Sequence, residues 1–195
     1  MSYLKNIEIK QWLFRNPYMS IEKSLRKTAE DSWGKSISGK DTCQWSTPLS
    51  ESIFLEYLQN KNSKIITRNK VYKSSSGKTL KPDFETENAI YELKCRTWNT
   101  TGTAGEKILA APYKYSELPS LSGKPLYIVL MAYQEYDNFG LFNTTQSIEK
   151  KGFIDYWRNT GITFVKFTDI LAVHYPETLN YPNNSSPYIE DLEFL

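Results

Sequence analysis

Apolar residues recur along this chain with two different periods, and the changes from one period to the other lay out its elements. Over residues 1–34 the spacing is helical, and the segment 21–33 has Ser20 as a candidate N-cap and Gly34 as a stop. The Gly/Ser/Thr-rich stretch 34–48 reads as a connection. Ile53, Phe54, Tyr57 and Leu58 then recur at helical spacing and predict a helix over residues 49–60, leading into a strand over 64–68. Residues 71–73 and 79–85, separated by the turn-forming 74–78, predict strand, turn and strand, and residues 89–98 alternate with period two. A short helix over 106–111, interrupted by Pro112, precedes the apolar run 126–133, which predicts a strand buried on both faces. A helix over 144–159 and a strand over 161–167 complete an α/β alternation.

Composition narrows the function. With 195 residues, 39% of them hydrophobic, the chain is long enough to bury a core as a single domain and too apolar to be disordered. No apolar run approaches the roughly 20 residues of a membrane span, so no membrane association is expected. Lys5, Glu8 and Lys10 interrupt the N-terminal apolar residues, which argues against a signal peptide and for a cytoplasmic protein. Cys43, Cys95 and the lone His174 cannot make a zinc cluster, so any metal is held by oxygen. A single histidine also argues against a Ser-His-Asp site; His174 is expected in or beside a strand, as packing. Gly34-Lys35-Ser36 and Gly77-Lys78-Thr79 end like phosphate-binding loops, but Ala29 and Tyr72 stand where the first glycine is required.

The net charge of +2 hides an asymmetry: residues 1–81 carry +8 and residues 82–195 carry −6. Between Tyr57 and Lys81 there are seven bases and no acid. Such a block either binds phosphates or is a lysine-rich solvated surface.

The chemistry concentrates in Lys81-Pro82-Asp83-Phe84 and Glu92-Leu93-Lys94. Alternation along the strand puts Ile90, Glu92, Lys94 and Arg96 on one face and Ala89, Tyr91, Leu93 and Cys95 on the other. If Glu87-Asn88 is a two-residue hairpin turn, paired residues have numbers summing to 175, and Asp83 stands opposite Glu92. Two facing acids repel unless a cation lies between them. Mg²⁺ takes one or two carboxylates and waters, and Asp83, Glu92 and the Leu93 carbonyl could supply the protein's share. Lys94 would then orient a water and stabilise charge on a phosphate. Alternatively, Glu92 and Lys94 are a solvent-facing charged pair. On the preceding helix Glu51 falls among Phe54, Leu55 and Leu58, whereas Glu56 points to the opposite side. Glu51 is either a third acid of the site or a charge placed at a helix N-terminus.

In order and spacing, Glu51, Pro82-Asp83 and Glu92-Leu93-Lys94 resemble the PD-(D/E)XK nuclease superfamily over about residues 47–135, and the compact size most resembles a type II restriction endonuclease. The resemblance implies a central mixed sheet flanked by helices, with 1–46 as an accessory helical region, 47–175 as the catalytic core and 176–195 as an irregular acidic tail. It further implies Asp83, Glu92, Lys94 and Glu51 as catalytic residues, and Mg²⁺ (with Mn²⁺ able to substitute) on Asp83, Glu92, the Leu93 carbonyl and Glu51. The activity implied is sequence-specific cleavage of double-stranded DNA by a metal-activated water, as a homodimer, with a DNA methyltransferase of matching specificity as functional partner. Arg96, Asn99, Thr100, Thr101 and Lys107, which follow the motif, and Lys78 and Lys81, which precede it, are the expected DNA contacts. A Holliday-junction resolvase, a repair nuclease or an inactive DNA-binding module remain the competing readings.

Overall fold

The period-two stretch and the unbroken apolar run pair with each other at the centre of the molecule. The computed structural model describes residues 2–41, 44–64, 66–100 and 106–174. Cys43, Thr101 and the acidic tail 176–195 lie outside the described residues. The elements in chain order are α1 (Ile7–Phe14), α2 (Arg26–Ser38), α3 (Ser46–Asn60), β1 (Thr67–Arg68), β2 (Tyr72–Lys73), β3 (Thr79–Leu80), β4 (Phe84–Glu85), β5 (Ile90–Arg96), α4 (Lys107–Lys114), α5 (Leu118–Ser122), β6 (Leu126–Ala132), α6 (Tyr133–Tyr136), α7 (Ile148–Asn159), β7 (Ile162–Lys166) and α8 (Phe167–His174). A five-stranded mixed sheet runs β1-β4-β5-β6-β7, and β2-β3 form a separate hairpin. β5, β6 and β7 are parallel, in the register Ile90↔Leu126 and Leu126↔Ile162, and helices carry the crossovers between them. No described helix is long and apolar enough to cross a membrane.

Both faces of the sheet are covered. Tyr91, Leu93, Val129, Met131 and Val165 pack with Phe54 and Tyr57 of α3, with Trp12 of α1 and with Phe167 of α8. Phe54 alone holds rings of Phe84, Tyr91 and Phe167 within 5.8 Å between centroids. On the opposite face, Ile90, Ile128, Leu130 and Phe164 pack with Ile108 and Tyr115 beside α4 and with Ile154 and Trp157 of α7. The sheet is therefore the middle layer of three.

Four expectations are corrected, each for a tertiary reason. Gly34 does not end α2; it lies inside the helix because a Cβ there would come within 2.2 Å of the Trp45 ring. The stop falls at Gly39, with φ 64°. Pro112 does not end α4, which continues to Lys114. One backbone bond is lost, the Tyr115 N–H recloses the ladder on the Ala111 carbonyl at 3.1 Å, and the buried stripe Ile108, Ala111, Pro112 and Tyr115 outweighs the loss. His174 ends a helix rather than lying near a strand; its ring packs 5.9 Å from that of Tyr57 and its Nε2 lies 3.1 Å from Lys61 Nζ. Finally, the N-terminal helices are not an accessory layer. Leu4, Ile9, Trp12 and Leu13 belong to the main core, and buried Glu30 of α2 accepts hydrogen bonds from the Trp12 indole (2.8 Å), the Trp98 and Asn99 amides and the Asn99 side chain (each 2.9 Å).

Candidate active site

The site forms where β4 stops accompanying β5. The Glu87-Asn88 turn is present, closed by the Thr86 N–H donating to the Ala89 carbonyl at 2.9 Å, and the strands pair as Phe84↔Tyr91 and Glu85↔Ile90. Extending that register puts Asp83 opposite Glu92 and Pro82 opposite Leu93. At this edge Leu93 would exchange ladder bonds with residue 82, but proline has no N–H to give. The Leu93 N–H instead donates to Asp83 Oδ2 at 2.7 Å. A carboxylate thus takes the place of a strand, and the Leu93 carbonyl faces an edge where Pro82 offers it no donor.

A cleft of about 290 Å³ opens there, lined by Glu51, Asp83, Glu92, Lys94, Lys107 and Gln134. Glu92 is 4% exposed. Its Oε1 accepts from Lys94 Nζ at 2.5 Å, whereas its buried Oε2 has no hydrogen-bond donor among the described residues. Burial, with the Glu92 charge behind it, pushes the Asp83 carboxyl up to about 7, against the opposing pull of the Leu93 amide and Lys94. Among the described residues no group of three or more His, Cys, Asp or Glu is arranged to hold a metal ion. Two carboxylates with one bare buried oxygen and an outward carbonyl fit a hard cation such as Mg²⁺, which keeps most of its shell as water or phosphate oxygen, and do not fit zinc.

The two candidate acids of α3 part company. Glu51 lines the cleft and is ion-paired with Arg68 of β1, so its charge is already answered by protein. Glu56 lies elsewhere, accepting from the Ser2 hydroxyl at 2.5 Å and the Tyr3 amide at 2.6 Å.

The expected DNA contacts divide in the same way. Lys78, Lys81 and Lys107 are exposed, and Lys107 reaches the cleft. Arg96 turns inward, ion-paired with Asp137 and stacked 5.0 Å over the Tyr133 ring. The Asn99 amide is held by Glu30, and the Thr100 hydroxyl pairs with that of Thr97. These three brace the end of β5. Two neighbours of the site went unmarked in the sequence. Buried Tyr115 donates its hydroxyl proton to the Lys81 carbonyl at 3.1 Å; burial first, then Glu92 and Asp83, push that phenol well above its ordinary value. Buried Gln134 is delivered to the cleft by Ala132, whose φ of 54° and ψ of −132° turn the chain sharply out of β6.

Compared with protein-family models, with curated proteins and with solved structures, the chain finds no match, so the case for its chemistry stands on the geometry of this site.

Proposed function

We propose that this protein is a Mg²⁺-dependent endonuclease with a restriction-endonuclease-like core, cutting double-stranded DNA at a specific sequence as a cytoplasmic homodimer, with a methyltransferase of matching specificity protecting the host's sites. One observation carries the reading: two carboxylates brought together at a sheet edge, one with a bare buried oxygen, beside a lysine on the same strand face. Two facing carboxylates cost a sheet electrostatic repulsion, whereas metal-assisted phosphodiester hydrolysis can use them to hold its cation.

Asp83, Glu92 and the Leu93 carbonyl would hold the cation, with Mn²⁺ able to substitute. When bound, such an ion polarises the phosphate and lowers the pKa of a coordinated water. The remaining work falls to the chain. Glu92 holds the Lys94 ammonium at 2.5 Å, beside the site of attack, where it can orient the water and counter charge growing on the phosphate. Glu51 lines the cleft, and its ion pair with Arg68 of β1 counters its charge.

The test is incubation of the full chain and of Asp83→Asn with a long duplex of known sequence, in Mg²⁺ and in EDTA. Discrete fragments from the parent in Mg²⁺ alone, lost in the variant, are expected. A smear would remove sequence specificity from the reading, and intact duplex with cut branched junctions would make the protein a structure-specific nuclease.

A further inference from the structure

The nuclease reading leaves open how a polyanion approaches a pair of carboxylates. Both acids repel phosphate, so cations must lie along the approach. α4 supplies them. Its buried stripe is Ile108, Ala111, Pro112 and Tyr115. At about 100° per residue, Lys107 and Lys114 fall within about 20° of each other on the flank of that stripe. Seven residues at 1.5 Å separate them by about 10 Å, close to the rise of three nucleotides along one strand. Both are exposed and neither is ion-paired among the described residues.

Lys114 is also held in place. Its Nζ donates to the Tyr115 hydroxyl at 2.7 Å and lies 4.3 Å from the centre of that ring. The same hydroxyl donates a hydrogen bond to the Lys81 carbonyl, two residues before Asp83. Glu117, the acid nearest in sequence that could neutralise Lys114, instead accepts the Ser75 amide at 2.6 Å. A fixed ammonium is thus tethered through one phenol to the segment that carries the candidate catalytic acid.

We propose that Lys107 and Lys114 form a rail for the backbone of duplex DNA beside the Asp83–Glu92 pair, and that Tyr115 is a positioning residue that aims Lys114. The inference rests on the nuclease reading and adds to it the path of the strand. Lys107 contacts phosphate at the cleft, and Lys114 contacts the backbone about three nucleotides away.

The test measures binding of a labelled duplex in EDTA, where no cleavage occurs, as a function of NaCl concentration. Lys107→Ala and Lys114→Ala should each reduce the slope of log K against log salt by about 0.9, the loss of one neutralised phosphate. Tyr115→Phe keeps both charges, so the slope should stay while affinity falls about threefold at every salt concentration. Lys151→Ala, at an exposed position of α7, should match the parent in both respects. Circular dichroism and thermal melting establish that each variant is folded. Parental slopes in both lysine variants, with steep salt dependence in the parent, would overturn the rail and leave the nuclease reading standing. Parental affinity in Tyr115→Phe would overturn the positioning role. A parent that does not bind duplex would overturn the duplex-endonuclease reading on which the rail rests.

Discussion

Asp83 is held under opposing demands. The Leu93 amide favours its charged form, while burial and Glu92 disfavour it and leave the carboxyl at about 7. The unfolded value is about 3.9, so the folded state binds the extra proton. The associated stability is fully present below about pH 4 and is lost as pH rises through 7. Asp83→Asn, which can still accept from the Leu93 amide, should therefore stabilise the metal-free protein at pH 8 by on the order of 1–3 kcal/mol in urea unfolding. Equal or lower stability would show that the site carries no such cost. The same proton competes with a cation, so Mn²⁺ affinity measured by titration should drop as pH falls below about 7. The opposition of Asp83 and Glu92 was legible in the sequence because a two-residue turn fixes register by arithmetic. Tyr115 was not, since its spacing from Ile108 and Ala111 marks it as core and the partner of its hydroxyl is 34 residues away.

At the level of elements, alternation marked β5 and an unbroken apolar run marked β6, whereas the single strand expected over 79–85 is two, β3 and β4, in different sheets, and helix ends were not legible. Residues 89–98 predicted β5 to within two residues at each end because both faces of that strand follow the period. Gly34 reads as a stop in any local window, yet its role is to admit the Trp45 ring, which also meets Trp12 and Trp33 at 5.5 and 5.9 Å. Gly34→Ala is accordingly expected to destabilise the protein by about 1–3 kcal/mol in thermal or urea unfolding, although alanine is the better helix former. A neutral or stabilising result would mean that the indole can move aside. Pro112 taught the same lesson in reverse: a local breaker was overridden by the face it helps to bury. Lys114 and Lys107 share one stripe of α4 because the helix runs through that proline.

For the molecule as a whole, the N-terminal helices decide whether there is a fold to carry the site. Ile9, Trp12 and Leu13 are at most 1% exposed, and each such side chain contributes roughly 1.5–3 kcal/mol on burial. Three of them rival the whole net stability of a typical domain, about 5–15 kcal/mol. A chain lacking residues 1–25 should therefore lose its cooperative melting transition, followed by circular dichroism. A truncated chain that still melts cooperatively would restore the accessory role expected from the sequence. The α/β alternation was legible from the changes of period, and the mixed sheet flanked by helices was what the resemblance implied, whereas the joining of α1 and α2 to the end of β5 through Glu30 links residues up to 69 apart, beyond the reach of any periodic signal. The carboxylate of Asp83 has one more consequence. By taking the Leu93 amide it closes a stretch of sheet edge that would otherwise be open to another strand. A descendant of this chain that abandoned cleavage would still be held to an acceptor at position 83. An alanine there would discard chemistry and edge protection together, and expose β5 to strand addition between neighbouring copies.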